Sequence, residues 1–215
     1  MRAAAAKTSS GKNTRGQLPG GRRRSRARSR REGDYHCRMT TAVLSLGSNL
    51  GNRLGFLQLA VASLGDRVLA ASSVYETDPW GTAGPNFFNA VLMASDPALD
   101  ARGWLDEAFR AEALAGRTRE TVWGPRTLDV DVIACYDEDG APVVVDEPTL
   151  SVPHPRAHQR AFVLVPWLQV QPQARLAVGG EDISVRELIA QLAQAERASV
   201  RHTPLTLSAF TAHVS

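Results

Sequence analysis

The sequence predicts an α+β domain, a ferredoxin-like split β-α-β sandwich with a mainly antiparallel sheet and helices packed on it. Two observations lead there. Short strand-like apolar runs alternate with runs of three-and-four spacing in the order β-α-β-β-α-β. The chain of 215 residues is 43% hydrophobic and 22% charged, a balance that supports a sizeable core without disulfide staples.

The elements follow in order. Ala42 to Leu46 is a short apolar strand, and Gly47-Ser48-Asn49 reads as the turn that ends it. A helix is expected from Arg53 to Leu64, because Leu54, Leu57, Val61 and Leu64 line one face. Gly65 stands where a C-terminal cap belongs. Ala70 to Thr77 reads as a second strand, Asp78 to Pro85 as a loop dense in breakers, and Asn86 to Ala94 as a third strand. Pro97 to Ala115 is expected to be a helix with Leu99, Trp104, Leu105, Ala108 and Phe109 on its inner side. Thr127 to Tyr136 is the fourth strand, and Val143 to Val145 a short one. Ala161 to Trp167 reads as an apolar helix interrupted by Pro166, and Ser184 to Arg197 as a last amphipathic helix. Residues after Ser199 carry no clear pattern.

The charge is divided unevenly. Residues 1–38 hold 12 Lys/Arg against Glu32 and Asp34, a net of +10, while residues 39–215 hold 13 basic and 20 acidic residues, a net of −7. The expected organisation is therefore a basic disordered tail over 1–38, a folded domain over 39–199 and an uncertain C-terminal extension over 200–215. The tail is Gly/Arg/Ser-rich with almost nothing apolar to bury. It reads as a nucleic-acid or membrane-surface arm, as a transit peptide, or as an over-extended start with Met39 as the initiator. Nucleic acid is a partner only if that tail is real.

Several function classes drop out. No apolar run reaches the roughly 18–20 residues of a membrane span, so no membrane partner is expected. Cys37 and Cys135 are the only cysteines, which excludes a disulfide framework and a zinc site and makes a cytoplasmic setting the default. The only lysines, Lys7 and Lys12, lie in the tail. An anionic substrate must then be met by Arg, His, backbone amides or metal, and a P-loop is excluded.

The sharpest local signal is Thr127-Leu128-Asp129-Val130-Asp131-Val132. Strand alternation puts Asp129 and Asp131 on one face and Leu128, Val130 and Val132 on the other. Two carboxylates on a strand face suit Mg²⁺, which takes one or two carboxylates, waters and phosphate oxygens. They equally suit a solvated polar face. Arg117, Arg119 and Arg126 lie within twelve positions of Asp129, as expected where metal and phosphate meet. Phe87 and Asn89 share a face of the third strand, and an aromatic ring beside an amide suits a flat, hydrogen-bonding heterocycle. Trp80 and Trp123 stand in loops, where packing explains large aromatics less easily.

Four separated segments resemble the 6-hydroxymethyl-7,8-dihydropterin pyrophosphokinase family. They are Leu46-Gly47-Ser48-Asn49-Leu50-Gly51, Ser72-Ser73-Val74-Tyr75-Glu76-Thr77, Trp123-Gly124-Pro125-Arg126-Thr127-Leu128-Asp129-Val130-Asp131 and Val152-Pro153-His154. Phe87-Phe88-Asn89-Ala90 falls between them in the right order. The resemblance spans roughly Thr41 to Gly180. It implies transfer of a pyrophosphoryl group from ATP, the co-substrate, to the hydroxymethyl oxygen of the pterin in folate biosynthesis, releasing AMP. By the same resemblance Asp129 and Asp131 bind two Mg²⁺ ions. Arg126, Ser151, His154, Arg160 and Trp123 meet ATP, and Arg117 and Arg119 close over the site. Thr77, Trp80, Phe87, Asn89 and Phe162 receive the pterin. Val122 departs from the family pattern, in which a basic residue commonly precedes the tryptophan. A monomer is expected. The competing readings are an RNA-binding module that uses the basic tail and another Mg²⁺-dependent phosphoryl or nucleotidyl transferase on the same fold.

Overall fold

The structure is a computed structural model that describes residues 40–79, 84–117 and 126–208. Eleven strands and five α-helices occur among the described residues. Strand β1 (Thr40–Ser48) runs two residues past the predicted end, so Gly47 and Ser48 belong to the sheet rather than to a turn. Helix α1 (Arg53–Leu64) has the predicted bounds and is capped by Asn52, whose side chain accepts the Gly55 N–H. The predicted second strand splits at Ser72 into β2 (Val68–Ala71) and β3 (Ser73–Thr77). Ser72 exchanges backbone and hydroxyl hydrogen bonds with Val91 there, which satisfies the ladder groups at the break. Strand β4 (Phe87–Asp96) follows.

Helix α2 (Ala101–Leu114) starts later than Pro97 because Asp100 caps it, accepting from Gly103 N–H at 2.8 Å. Its buried face carries Ala101, Trp104, Ala108 and Ala111. Phe109, expected inside, is 43% exposed. The small residues allow close helix–sheet contact, and Trp104 fills the remaining depth with its indole N–H on Thr40 Oγ1 at 2.8 Å. Strand β5 (Asp129–Tyr136) is followed by β6 (Pro142–Val143), which pairs with it, and by β7 (Val145–Glu147) and β8 (Leu150–Val152), which pair with each other in a separate two-stranded sheet.

Helix α3 (Ala161–Val170) continues through Pro166 instead of stopping there. Burial of Val163, Leu164 and Trp167 outweighs the roughly 3 kcal/mol that an interior proline costs a helix. Strands β9 (Arg175–Val178) and β10 (Glu181–Ser184) form a hairpin around Gly179 and Gly180, both at positive φ. The predicted last helix is two pieces, α4 (Val185–Gln191) and α5 (Gln194–Ala198), separated where Leu192 is extended. Strand β11 (Val200–Thr206) lies in the stretch that the sequence left without a pattern.

The main sheet has the order β11-β3-β4-β1-β5-β6, with β2 also on β4, and every pairing is antiparallel. One face packs Ala42, Leu44, Leu46, Leu92 and Val130 against α1 and α2. The other packs Val43, Val91 and Ile133 against α3 and α4. Helices thus cover both faces. Residues 1–39, with the basic tail, lie outside the described residues. No helix among the described residues is long and apolar enough to cross a membrane.

Candidate active site

The site forms around Gly47 near the C-terminal end of β1, the strand between β4 and β5. Gly47 is paired with Asn89 on one side and with Asp129 on the other. Directly opposed residues in antiparallel strands project to the same face. A methyl group at Gly47 would lie 3.1 Å from Asn89 Oδ1, 3.7 Å from Phe87 Cδ1 and 3.9 Å from Asp129 Cβ. A glycine within a strand gives up packing and chain entropy, and here it opens a floor between two groups of polar side chains.

On the β4 side, Asn89 is buried and donates its amide to Thr77 Oγ1 at 2.7 Å. That bond orients the amide so that its oxygen faces the space above Gly47. Phe87 stands at the outer end of the same face, with the Arg126 guanidinium 5.8 Å from its ring centre. On the β5 side, Asp129 and Asp131 are both half-buried, while Leu128, Val130 and Val132 are in the core, as alternation requires.

Both carboxylates are held by guanidinium groups. Asp129 accepts from Arg117 at 2.6 Å and from Arg126 at 2.9 Å. Asp131 accepts from Arg160 at 3.0 Å. Arg117 is also paired with Glu112, a buried residue of α2 whose carboxylate accepts the Val130 N–H at 3.0 Å. Arg160, at the start of α3, lies 5.6 Å from the ring centre of Phe162.

His154 is tied to β5 by its N–H on Ile133 O at 2.8 Å. Burial holds its imidazole below the usual histidine range, Arg160 and Arg156 add to that shift, and the Asp131 charge opposes it. Nδ1 accepts the Arg156 N–H at 3.1 Å, so in the neutral ring the proton sits on Nε2. Ser151 is half-buried on β8. Trp80, Arg119 and Trp123 lie outside the described residues.

The donor set suits a hard cation. Asp129 and Asp131 could supply oxygen ligands beside arginines able to take phosphate, and no group of three or more His, Cys, Asp or Glu with metal-site spacing occurs among the described residues. Two carboxylates completed by water and substrate phosphate match Mg²⁺ rather than an all-protein cage.

A family model described as 7,8-dihydro-6-hydroxymethylpterin-pyrophosphokinase matches residues 43–172. The chain belongs to this family. It is 50% identical over 168 residues to the 2-amino-4-hydroxy-6-hydroxymethyldihydropteridine pyrophosphokinase of Mycobacterium tuberculosis, covering 76% of this chain and 89% of that one. The Mycobacterium leprae relative of the same name is 52% identical over 175 residues, covering 79% and 92%. That of Methylorubrum extorquens is 42% identical over 158 residues, covering 72% and 94%. A solved Plasmodium falciparum HPPK-DHPS, crystallised with pterin and p-hydroxybenzoate, aligns with a TM-score of 0.53 at 12% identity. It covers 76% of this chain, which spans less than half of that longer protein, 47%. The likeness supports the pyrophosphokinase fold.

Of the residues singled out in the sequence, Asp129, Asp131, Arg117, Arg126, Phe87 and Asn89 are brought together around Gly47. The sequence had not picked out Glu112, one of three acids in helix α2, with no pattern to mark its burial. Gly47 and Asn49 stood in a segment that carries the family resemblance, but neither had an individual role there.

Proposed function

We propose that this chain transfers the pyrophosphoryl group of ATP to the hydroxymethyl oxygen of 6-hydroxymethyl-7,8-dihydropterin, giving AMP and the pterin pyrophosphate in folate biosynthesis. The observation that carries the reading is the meeting of Asn89 and Asp129 across Gly47. A heterocycle held at β4 then has its side chain directed toward phosphates held at β5.

Asn89 and Thr77 bind the polar edge of the pterin, with Phe87 and Phe162 on its faces and Trp80 at its rim. Arg126, His154 and Arg160 hold the ATP phosphates, with Ser151 and Trp123 at the nucleotide. Arg117 and Arg119 neutralise charge as the bridging oxygen between the α- and β-phosphorus leaves with AMP. The neutral His154 donates from Nε2 to a phosphate oxygen. Asp129 and Asp131 would hold two Mg²⁺ ions. When bound, these supply charge neutralisation and acidify the attacking hydroxyl. The arginines now on the two carboxylates turn to phosphate in that state, so the site exchanges one set of ion pairs for another. Positioning then provides most of the rate. A monomer in the cytoplasm fits this reading, and the free, buried Cys135 is compatible with a reducing compartment. A catalytic unit over 39–199, preceded by the 1–38 tail, is part of the same proposal, with β11 of the 200–215 stretch completing the sheet.

The test is AMP release from ATP and Mg²⁺, with and without the pterin, for wild type and Asp129→Ala. Pterin-dependent AMP formation that is lost in the variant is the expected result. Release of ADP, or AMP formation indifferent to the pterin, overturns the reading.

A further inference from the structure

The connection between β1 and α1 reaches both halves of this site. Asn49 is 5% exposed. Its Oδ1 accepts the Arg126 N–H at 2.8 Å, and its own N–H donates to the Arg126 carbonyl at 3.2 Å. Those two bonds fix the backbone from which the Arg126 guanidinium reaches Asp129. The other end of the same amide, Nδ2, donates to the Pro85 carbonyl at 3.5 Å, two residues before Phe87. Four residues further on, Arg53 donates to the Asn86 carbonyl at 2.8 Å and lies 3.7 Å from the Phe88 ring centre.

The amide therefore holds the backbone leading into the phosphate strand with one end and the backbone leading into the heterocycle strand with the other. A buried polar side chain with both ends committed is costly to misplace, because an unpaired buried donor or acceptor loses its desolvation free energy. A shift of either segment is felt by the other through one rigid group, which is the physical content of coupling between sites.

We infer that Asn49 is a positioning residue, and that its side-chain amide is the link through which the two substrate half-sites act on each other. The inference rests on the assignment of those half-sites given above. The strong pair of bonds to Arg126 serves the nucleotide side. The longer bond to Pro85, backed by Arg53, transmits to the pterin side.

The experiment measures pterin affinity by calorimetry on the full chain, with and without Mg²⁺ and an ATP analogue carrying a methylene between the α- and β-phosphorus. Wild type should bind pterin at least about fivefold more tightly with the analogue, the lower end of ordinary coupling. Asn49→Ala should bring that ratio to about one. Asn49→Asp keeps the acceptor for Arg126 and removes the donor for Pro85. It should hold analogue affinity within about threefold of wild type while losing the ratio. A purely structural role would weaken both affinities and leave the ratio intact. A ratio of one in wild type, or a wild-type ratio in folded Asn49 variants, overturns the inference. Absence of pterin binding and turnover in wild type would instead remove the assignment of the site.

Discussion

Replacing Gly47 by alanine tests the geometry most directly. The added methyl meets Asn89 Oδ1 at 3.1 Å, so that amide must give by a few tenths of an ångström. Thr77 holds its other end at 2.7 Å, which leaves rotation off its preferred rotamer as the main response. That rotation costs about 0.5–1.5 kcal/mol. It is offset by the roughly 0.4–1 kcal/mol gained when alanine restricts the unfolded chain. The net change in stability is expected to stay within about 1 kcal/mol. Function should respond far more. Losing the Asn89 contact with the heterocycle costs about 1–3 kcal/mol, roughly a 5- to 140-fold rise in pterin KM. The KM for ATP should hardly move, because the candidate phosphate partners Arg126, His154 and Arg160 stand just before β5 and between β8 and α3. Steady-state AMP release with each substrate varied, beside a urea melt, reads all three quantities. A pterin KM within twofold of wild type would refute the reasoning. So would a parallel rise in both KM values accompanied by a collapse in stability.

Two further outcomes follow from buried charge. Glu112→Ala strips the buried Val130 N–H of its acceptor, which alone costs about 1–3 kcal/mol in urea denaturation. Glu112→Gln keeps an acceptor there and should recover most of that loss, so equal destabilisation by the two variants would contradict the role given to this bond. His154 has a folded pKa held below its ordinary value by burial. Protons then bind the unfolded chain more readily. Its contribution to the stability of metal-free protein should be complete above the ordinary histidine range of about 6.5 and be lost as pH falls through the lowered folded value. His154→Gln should remove that slope from a series of urea melts between about pH 5 and 7.

Much of the site was legible because its signals are local. Alternation along Leu128–Val132 separates carboxylates from core with no knowledge of neighbours, and α1 is periodic enough to be bounded to the residue. Other features were less legible. The hairpin over 175–184 had a local signal in Gly179-Gly180, the two-residue turn that favours positive φ. Helix α3 was expected to stop at Pro166 because the local cost is visible in sequence and the compensating burial is not. Strand β11 has alternation too weak to stand alone, and its pairing with β3 spans more than a hundred residues of chain.

The sequence by itself determined the types of the main elements from β1 to β5, the polar face of β5, the arginine-rich and lysine-free character of the candidate phosphate partners, and the family. Those depend on residue type and spacing along one segment. Tertiary structure alone decided that Gly47 sits between Asn89 and Asp129, that Glu112 is buried against Arg117 and Val130, and that Asn49 links Pro85 to Arg126. Each depends on sheet register and helix docking, which bring together residues 5 to 82 positions apart. Hydrogen bonds and ion pairs act over a few ångströms of space, so their partners are chosen only once the chain has packed.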